Sequence, residues 1–272
     1  MARWASLIEK RRSERAVLVI DTGDFSLPPD TRQRDLKERY FFEAMKLLGY
    51  DAVGIGEFET QAGLEGRFAA AKRYGLPLVN SNIFDRALKK PAAPESIVRD
   101  IGGARTLFGR RGALRVGIFS VVLPSLIYRD GADGRQRYNV VDPKLSALAA
   151  ATNLRAGGCD IVIAVSHLGW QKSLELAREV PGIDVVLNGH REHTRTHEER
   201  VGSTVVVDTG EKEWSFTEVS VTFNGDSLVV VASDACGAAL SLREDPRFTG
   251  LQKKYSEELK RLSSSAAKNR DR

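Results

Sequence analysis

The chain holds four histidines, His167, His190, His193 and His197, and three of them stand where two apolar runs stop. Ile161-Val-Ile-Ala-Val-Ser runs into His167-Leu-Gly169, and Asp184-Val-Val-Leu-Asn-Gly runs into His190-Arg-Glu-His193. A third run, Ala16-Val-Leu-Val-Ile-Asp-Thr-Gly-Asp24, delivers a carboxylate in place of an imidazole. Histidine is the commonest metal ligand and the most frequent general acid or base. Together with carboxylate oxygens it suits a divalent transition metal. Apolar, β-branched runs of this length read as strands buried on both faces. Residues just past the C-terminal ends of such strands are where open α/β sheets place ligands.

Other residues invite two readings each. Asn80 and Asn82 either orient a ligand or form a turn. Asp21 reads better as the holder of its own turn's backbone than as a metal ligand. Trp170 either walls a pocket or belongs to the core, and His197 reads as a surface residue.

The elements that must position these residues follow in order. Residues 2–14 read as an amphipathic helix, with Trp4, Leu7 and Ile8 on one face. Strand 16–21 follows, then a polar loop 26–34, helix 35–48 ending at Gly49, and strand 51–55. Helix 64–74 and strand 78–81 complete a β-α-β-α-β series, the mark of a parallel sheet. Residues 85–104 read as a connection. Runs 106–109 and 114–120 read as a hairpin about Arg110-Arg-Gly112, and 124–139 as a surface loop. Asp142-Pro143 pairs an acidic cap with proline at the first turn of a helix reaching Arg155. Strand 160–166, helix 171–179 and strand 183–188 carry the histidines. Strands 204–208, 216–223 and 227–233, with an Asn224-Gly225 turn, and helix 246–263 finish the chain before a Ser/Ala/Lys tail that frays.

At 272 residues, 42% hydrophobic and 28% charged, the chain has an ordinary globular composition. No apolar run reaches the roughly 20 residues that span a bilayer. The net charge of +5 suits an anionic ligand, but its basic residues are scattered doublets without interleaved aromatics. That argues for a solvated surface and against nucleic acid. Cys159 and Cys236 are read as buried thiols.

Asp-Thr-Gly-Asp24, Gly49-Tyr-Asp51, Asn80-Ser-Asn82, Asp142-Pro143, Ser-His-Leu-Gly169 and Asn-Gly-His190 together resemble, in this order, the calcineurin-like metallophosphoesterases. The likeness is to the catalytic domain of their 5′-nucleotidase and 2′,3′-cyclic phosphodiesterase branch, over roughly residues 5–223. It implies an α/β fold in which a two-sheet β-sandwich is flanked by helices, with a metal site at the sheet ends. The domain would span 1–233, with a C-terminal helix and tail at 234–272. By resemblance Asp24 bridges two metals and His167 and His190 bind the second. His193 fills a first-metal position if its loop bulges, because one extra residue separates it from His190.

The chain also departs from the family. The strand ending in Asp-x-His is missing, and Gly56-Glu-Phe-Glu59 stands where Gly-Asn-His-Glu is expected. By resemblance Glu57 either replaces the asparagine as an oxygen ligand or merely caps or faces solvent. The implied cofactor is one divalent metal ion (Mn, Zn, Fe or Co) rather than two. The implied function is metal-dependent hydrolysis of a nucleotide or another small phosphoester, slowed by the lost ligands, with no catalytic residue assignable. The alternative is a non-catalytic accessory module on the same scaffold. As written the sequence opens without an export signal, which implies the cytoplasm. A reading frame that starts upstream with the missing strand and a signal peptide would imply the periplasm.

Overall fold

The computed structural model describes residues 1–27, 31, 33–61, 63–106, 109–124, 137–190, 193–209, 216–224, 227–235 and 239–268. Its centre is a six-stranded sheet of β5 (Ser96–Thr106), β6 (Gly109–Val122), β8 (Ile161–His167), β9 (Val185–Asn188), β10 (His197–Val201) and β11 (Thr204–Asp208). The spatial order is β10-β11-β9-β8-β6-β5. The four inner strands run parallel and the two outer ones antiparallel to their neighbours. Along β8 successive side chains alternate between faces, as the strand pleat requires. Val162 and Ala164 pack with Ala147, Ala151 and Leu154 of α5 (Pro143–Ala156), and with Leu174 and Ala177 of α6 (Trp170–Glu179). Ile161, Ile163 and Val165 face the other way.

That second face meets another β layer. Its parts are β1 (Ile20–Asp21) with β2 (Ala52–Val53), and the hairpin β12 (Thr217–Asn224) with β13 (Ser227–Asp234). Val230 is buried against Ile163 and Val165, with Leu18, Ile20, Val219 and Val221 packed around them. Outside this layer lie α1 (Ala2–Glu14), α2 (Arg34–Leu48), α4 (Leu64–Tyr74) and α7 (Pro246–Lys268), and the short α3 (Glu57–Gln61) follows β2. Phe42 and Met45 of α2 close over Val53 and Leu78, and Ala5, Ile8, Leu48 and Phe248 form a joint seam. A short sheet, β4 (Lys90–Pro91), β3 (Ile83–Asp85) and β7 (Tyr138–Val140), caps one end. This is the expected architecture of β-sheets packed face to face between helices. Among the described residues no helix is long and apolar enough to cross a membrane.

Local signals held where they are chemically specific. Asp142 Oδ1 accepts the Leu145 N–H at 2.9 Å, with Pro143 opening α5. Asp21 Oδ1 accepts the Gly23 N–H at 3.0 Å and holds its own turn. Several expectations are corrected. The hairpin reverses between Thr106 and Gly109, so Arg110-Arg-Gly112 lies inside β6, and most of 85–104 is strand. Strand 16–21 shortens to a two-residue ladder, and strand 78–81 to a single bridge between Val53 and Leu78. In both, the β1–β2 partner is itself only two residues long. β7 and β10 were unforeseen, since polar edge strands lack the apolar run that marks a central one. Cys159 is buried and free. Cys236, Gly225, most of 124–139 and the last four residues of the tail lie outside the described residues.

Candidate metal centre

Four strand ends converge at the C-terminal rim of the parallel strands, and backbone proximity makes the convergence possible. A Cβ on Gly56 would collide with Asp24 Oδ1 and the His167 ring, and one on Gly189 with the Thr22 carbonyl. Only glycine admits so close an approach. The turns after β1, β2, β8 and β9 therefore pack against one another, bringing Asp24, Glu57, His167 and His190 together.

His167 is fully buried at the end of β8. Its Nδ1–H donates to the Thr22 carbonyl at 2.9 Å, which leaves Nε2 to face the site. A metal-ligating histidine shows this arrangement, with one nitrogen fixed by a carbonyl and the other directed at the ion. Glu57 Oε2 lies 3.0 Å from His167 Nε2 and 2.9 Å from His190 Nδ1. The three donor atoms lie within 4.8 Å of one another. Asp24 Oδ2 stands 3.5 Å from His167 Nε2, while its Oδ1 accepts the Phe58 N–H at 2.9 Å.

The electrostatics follow from that crowding. A carboxylate is acceptor-only, and so is Nε2 of a neutral His167 whose Nδ1–H is given to Thr22, so a metal or a proton belongs between His167 and Glu57. Without a metal, a proton does. Burial opposes charge on His167, but hydrogen bonds to Asp24 and Glu57 outweigh it and push the ring up to about 10. His190 is raised too, chiefly by Glu57. Glu57 is held well below the usual carboxylate range by its bonds to both imidazoles. The donor set of two nitrogens and one or two carboxylate oxygens suits a borderline divalent cation. In chemistry and placement, the residues fit the implied metal.

A fully buried carboxylate, Glu59, supports these residues from behind. Glu59 Oε2 accepts the N–H groups of Asp24 and Gly56 at 2.8 and 2.7 Å, and Oε1 that of Ser26 at 2.7 Å. It thereby fixes Asp24, whose φ of 64° lies in the left-handed region that few non-glycine residues adopt. Burial, then the charge of Asp24, pushes the Glu59 carboxyl up to about 7. Sequence reasoning missed this role because it depends on amides 33 and 35 positions away.

The other expected residues fall elsewhere. His193, considered as a further ligand, stands outside the three-donor group and lies 3.0 Å from Asp208 Oδ2 through Nδ1. His197 is exposed and stacks on His193, with 4.5 Å between ring centroids. Trp170 is buried, and its ring meets both imidazoles at steep angles. Asn80 and Asn82 are fully buried. Asn80 Oδ1 accepts the Asn82 and Ile83 N–H groups, and Asn82 bonds the backbone of Val122 and Val141. Asp208 was overlooked, although it ends Thr204-Val-Val-Val-Asp208 just as Asp21 ends its own run. The repeated strand-end carboxylate was the available signal.

No family model matches the chain. It is 26% identical over 207 residues to a 2′,3′-cyclic-nucleotide 2′-phosphodiesterase/3′-nucleotidase of Salmonella typhimurium, covering 70% of this chain and 32% of that protein. It is 28% identical over 211 residues to a snake venom 5′-nucleotidase of Gloydius brevicauda, covering 70% and 31%. The chain thus spans about a third of the length of these relatives. The calcineurin-like phosphoesterase YfkN of Bacillus subtilis superposes with a TM-score of 0.71 at 19% identity, over 95% of this chain and 88% of that one. The chain therefore has the fold of the calcineurin-like phosphoesterases and is related in sequence to their 5′-nucleotidase and 2′,3′-cyclic phosphodiesterase branch.

Proposed function

We propose that this chain is a metal-dependent phosphoester hydrolase of the 5′-nucleotidase type, acting on a nucleotide or another small phosphomonoester. One observation carries the reading. Glu57, His167 and His190 turn acceptor atoms toward one point, and Thr22 fixes the tautomer that aims His167 there. Asp24, held in its left-handed conformation by Glu59, adds a carboxylate at the margin. The relatives are nucleotidases and phosphoesterases, so the accessory-module alternative is not favoured.

Glu57, His167 and His190 would hold one divalent cation, with Asp24 beside it. Such an ion polarises a phosphoryl oxygen and lowers the pKa of bound water. The protein's own contribution is orientation. His167 is locked by Thr22 and by burial. Gly56 and Gly189 let the loops close, and Glu59 keeps Asp24 directed inward. Phe58 stands where the family pattern has a histidine, and its hydrocarbon ring transfers no proton.

The test is steady-state hydrolysis of AMP and p-nitrophenyl phosphate with Mn²⁺ added, against Asp24→Ala. The reading expects slow, metal-dependent turnover that Asp24→Ala abolishes. Turnover that is absent, or indifferent to metal and to Asp24→Ala, would defeat it.

A further inference from the structure

Phe58, standing where the family pattern has a histidine, supplies no proton to a departing oxygen. The three-donor group does not supply one. The remaining N–H of His167 is committed to Thr22. An imidazole that ligates through one nitrogen is a poor acid at the other. Of the chain's four histidines, that leaves His193 and His197.

His193 has the arrangement that a proton-transferring histidine needs. Its Nδ1 lies 3.0 Å from Oδ2 of Asp208, which is fully buried at the end of β11. A carboxylate only accepts, so Nδ1 carries the proton and Nε2 is the nitrogen left to exchange with a ligand. The ring is fixed on two further sides, by the Trp170 ring set nearly perpendicular to it with 4.8 Å between centroids, and by the stacked His197. Its side chain stays one-third exposed and so reachable.

The same scaffold carries the metal centre. Ser166, Asn188 and Asp208 stand side by side in register at the ends of β8, β9 and β11. Asn188 Nδ2 donates both to Asp208 Oδ2 at 3.2 Å and to the His190 carbonyl at 2.9 Å. Asn188 is itself fixed by Ser173, which pairs with Ser166, and all three are fully buried. One rigid polar chain thus sets both the His190 loop and the Asp208–His193 pair on a single rim.

Resting on the hydrolase reading, we propose that His193 is the leaving-group acid of this chain and that Asp208 is its positioning residue. A water oxygen bonds to phosphorus while the phosphorus–ester oxygen bond breaks. The departing oxygen keeps the electron pair of that bond and takes the Nε2 proton of a His193 that enters the step as imidazolium, leaving a neutral ring with its proton on Nδ1. The water's surplus proton passes to solvent, and His193 regains its own from solvent.

The experiment compares two leaving groups. p-Nitrophenolate departs without protonation, whereas the nucleoside alkoxide of AMP needs a proton. In His193→Gln, turnover of AMP should fall by about 10²–10⁴-fold and that of p-nitrophenyl phosphate by less than about 10-fold. Bound Mn²⁺, measured by elemental analysis, should be unchanged. Asp208→Asn should follow the same pattern more weakly, and if that buried change prevents folding, His193→Gln decides alone. Loss of metal in His193→Gln would make His193 a ligand and overturn the proposal. Equal losses on both substrates, or none, would overturn it as well. A parent chain that hydrolyses neither substrate would defeat the hydrolase reading first, and the acid role with it.

Discussion

Two groups of histidines share one rim and have different surroundings. His167 and His190 turn nitrogens toward a common carboxylate, Glu57, and their rings meet edge to face at 5.4 Å. His193 and His197 lie a few residues further on in sequence, stacked at 26° to one another, with His193 tied to the buried carboxylate of Asp208. Residue type is the same in both groups. What differs is where each backbone leaves its strand. His167 ends β8 and His190 follows β9 by two residues, at sites where glycines let neighbouring loops close in. His193, three positions later in the sequence, lies beside Asp208 of β11. Histidine count alone therefore says little about a metal site, and strand-end position says more.

The largest expected effect is on the first group. His167→Ala removes the cation that two carboxylates face and leaves a cavity at a fully buried position. In the metal-free chain it should lower stability by roughly 3–5 kcal/mol, read by denaturant unfolding. Mn²⁺ affinity should fall by about 100-fold or more, since loss of an outer-shell partner alone costs 10–100-fold. A stable His167→Ala chain that still binds metal would remove the distinction between the groups. His190→Ala should lose comparable metal affinity with a much smaller stability change, because that side chain is more than one-third exposed.

Gly56→Ala comes next. Its new methyl meets Asp24 Oδ1, the His167 ring and the Asp24 backbone nitrogen, so both side chains must shift and metal affinity should drop by roughly 10-fold or more. Isothermal titration with Mn²⁺ measures this, and unchanged affinity would mean that the loops need not approach so closely.

Acidity separates the groups in a further way. His167, raised from 6.5 to about 10, stabilises the metal-free chain fully below 6.5 and loses that contribution as pH rises through about 10. Glu57, depressed, contributes above its ordinary value of 4.5 and loses the contribution as pH falls below it. The cluster should therefore stabilise the metal-free chain most between about pH 4.5 and 6.5. Metal must displace the histidine protons, so Mn²⁺ affinity should rise steadily from pH 6 to 8 with proton release. Calorimetry in buffers of different ionisation enthalpy reads that release directly. The smallest effect belongs to His197→Ala, which should change metal affinity by less than about 2-fold, as surface substitutions do.

Much of this contrast was legible in the chain. The runs ending at His167 and His190 are apolar without a break, and only a doubly covered central strand demands that. The Asp142 cap and the Asp21 turn are local devices, complete within three residues. What the sequence hid is non-local. Glu57 has the same sequence signal whether it caps a helix or meets two imidazoles more than a hundred residues away. Glu59 gathers amides from three separate positions, and Asn188 links Asp208 to the His190 loop across the sheet. β10 was invisible for another reason. His-Glu-Glu-Arg-Val201 is an edge strand facing water, with no hydrophobic period to read.

The central claim is that one divalent cation binds among Glu57, His167 and His190. Elemental analysis of the chain after equilibration with Mn²⁺ and removal of excess tests it most directly, alongside His167→Ala, His190→Ala and His197→Ala. The account predicts one Mn²⁺ per parent chain, almost none in the first two variants, and full occupancy in His197→Ala. Two ions per parent chain, or equal losses in all three variants, would contradict it.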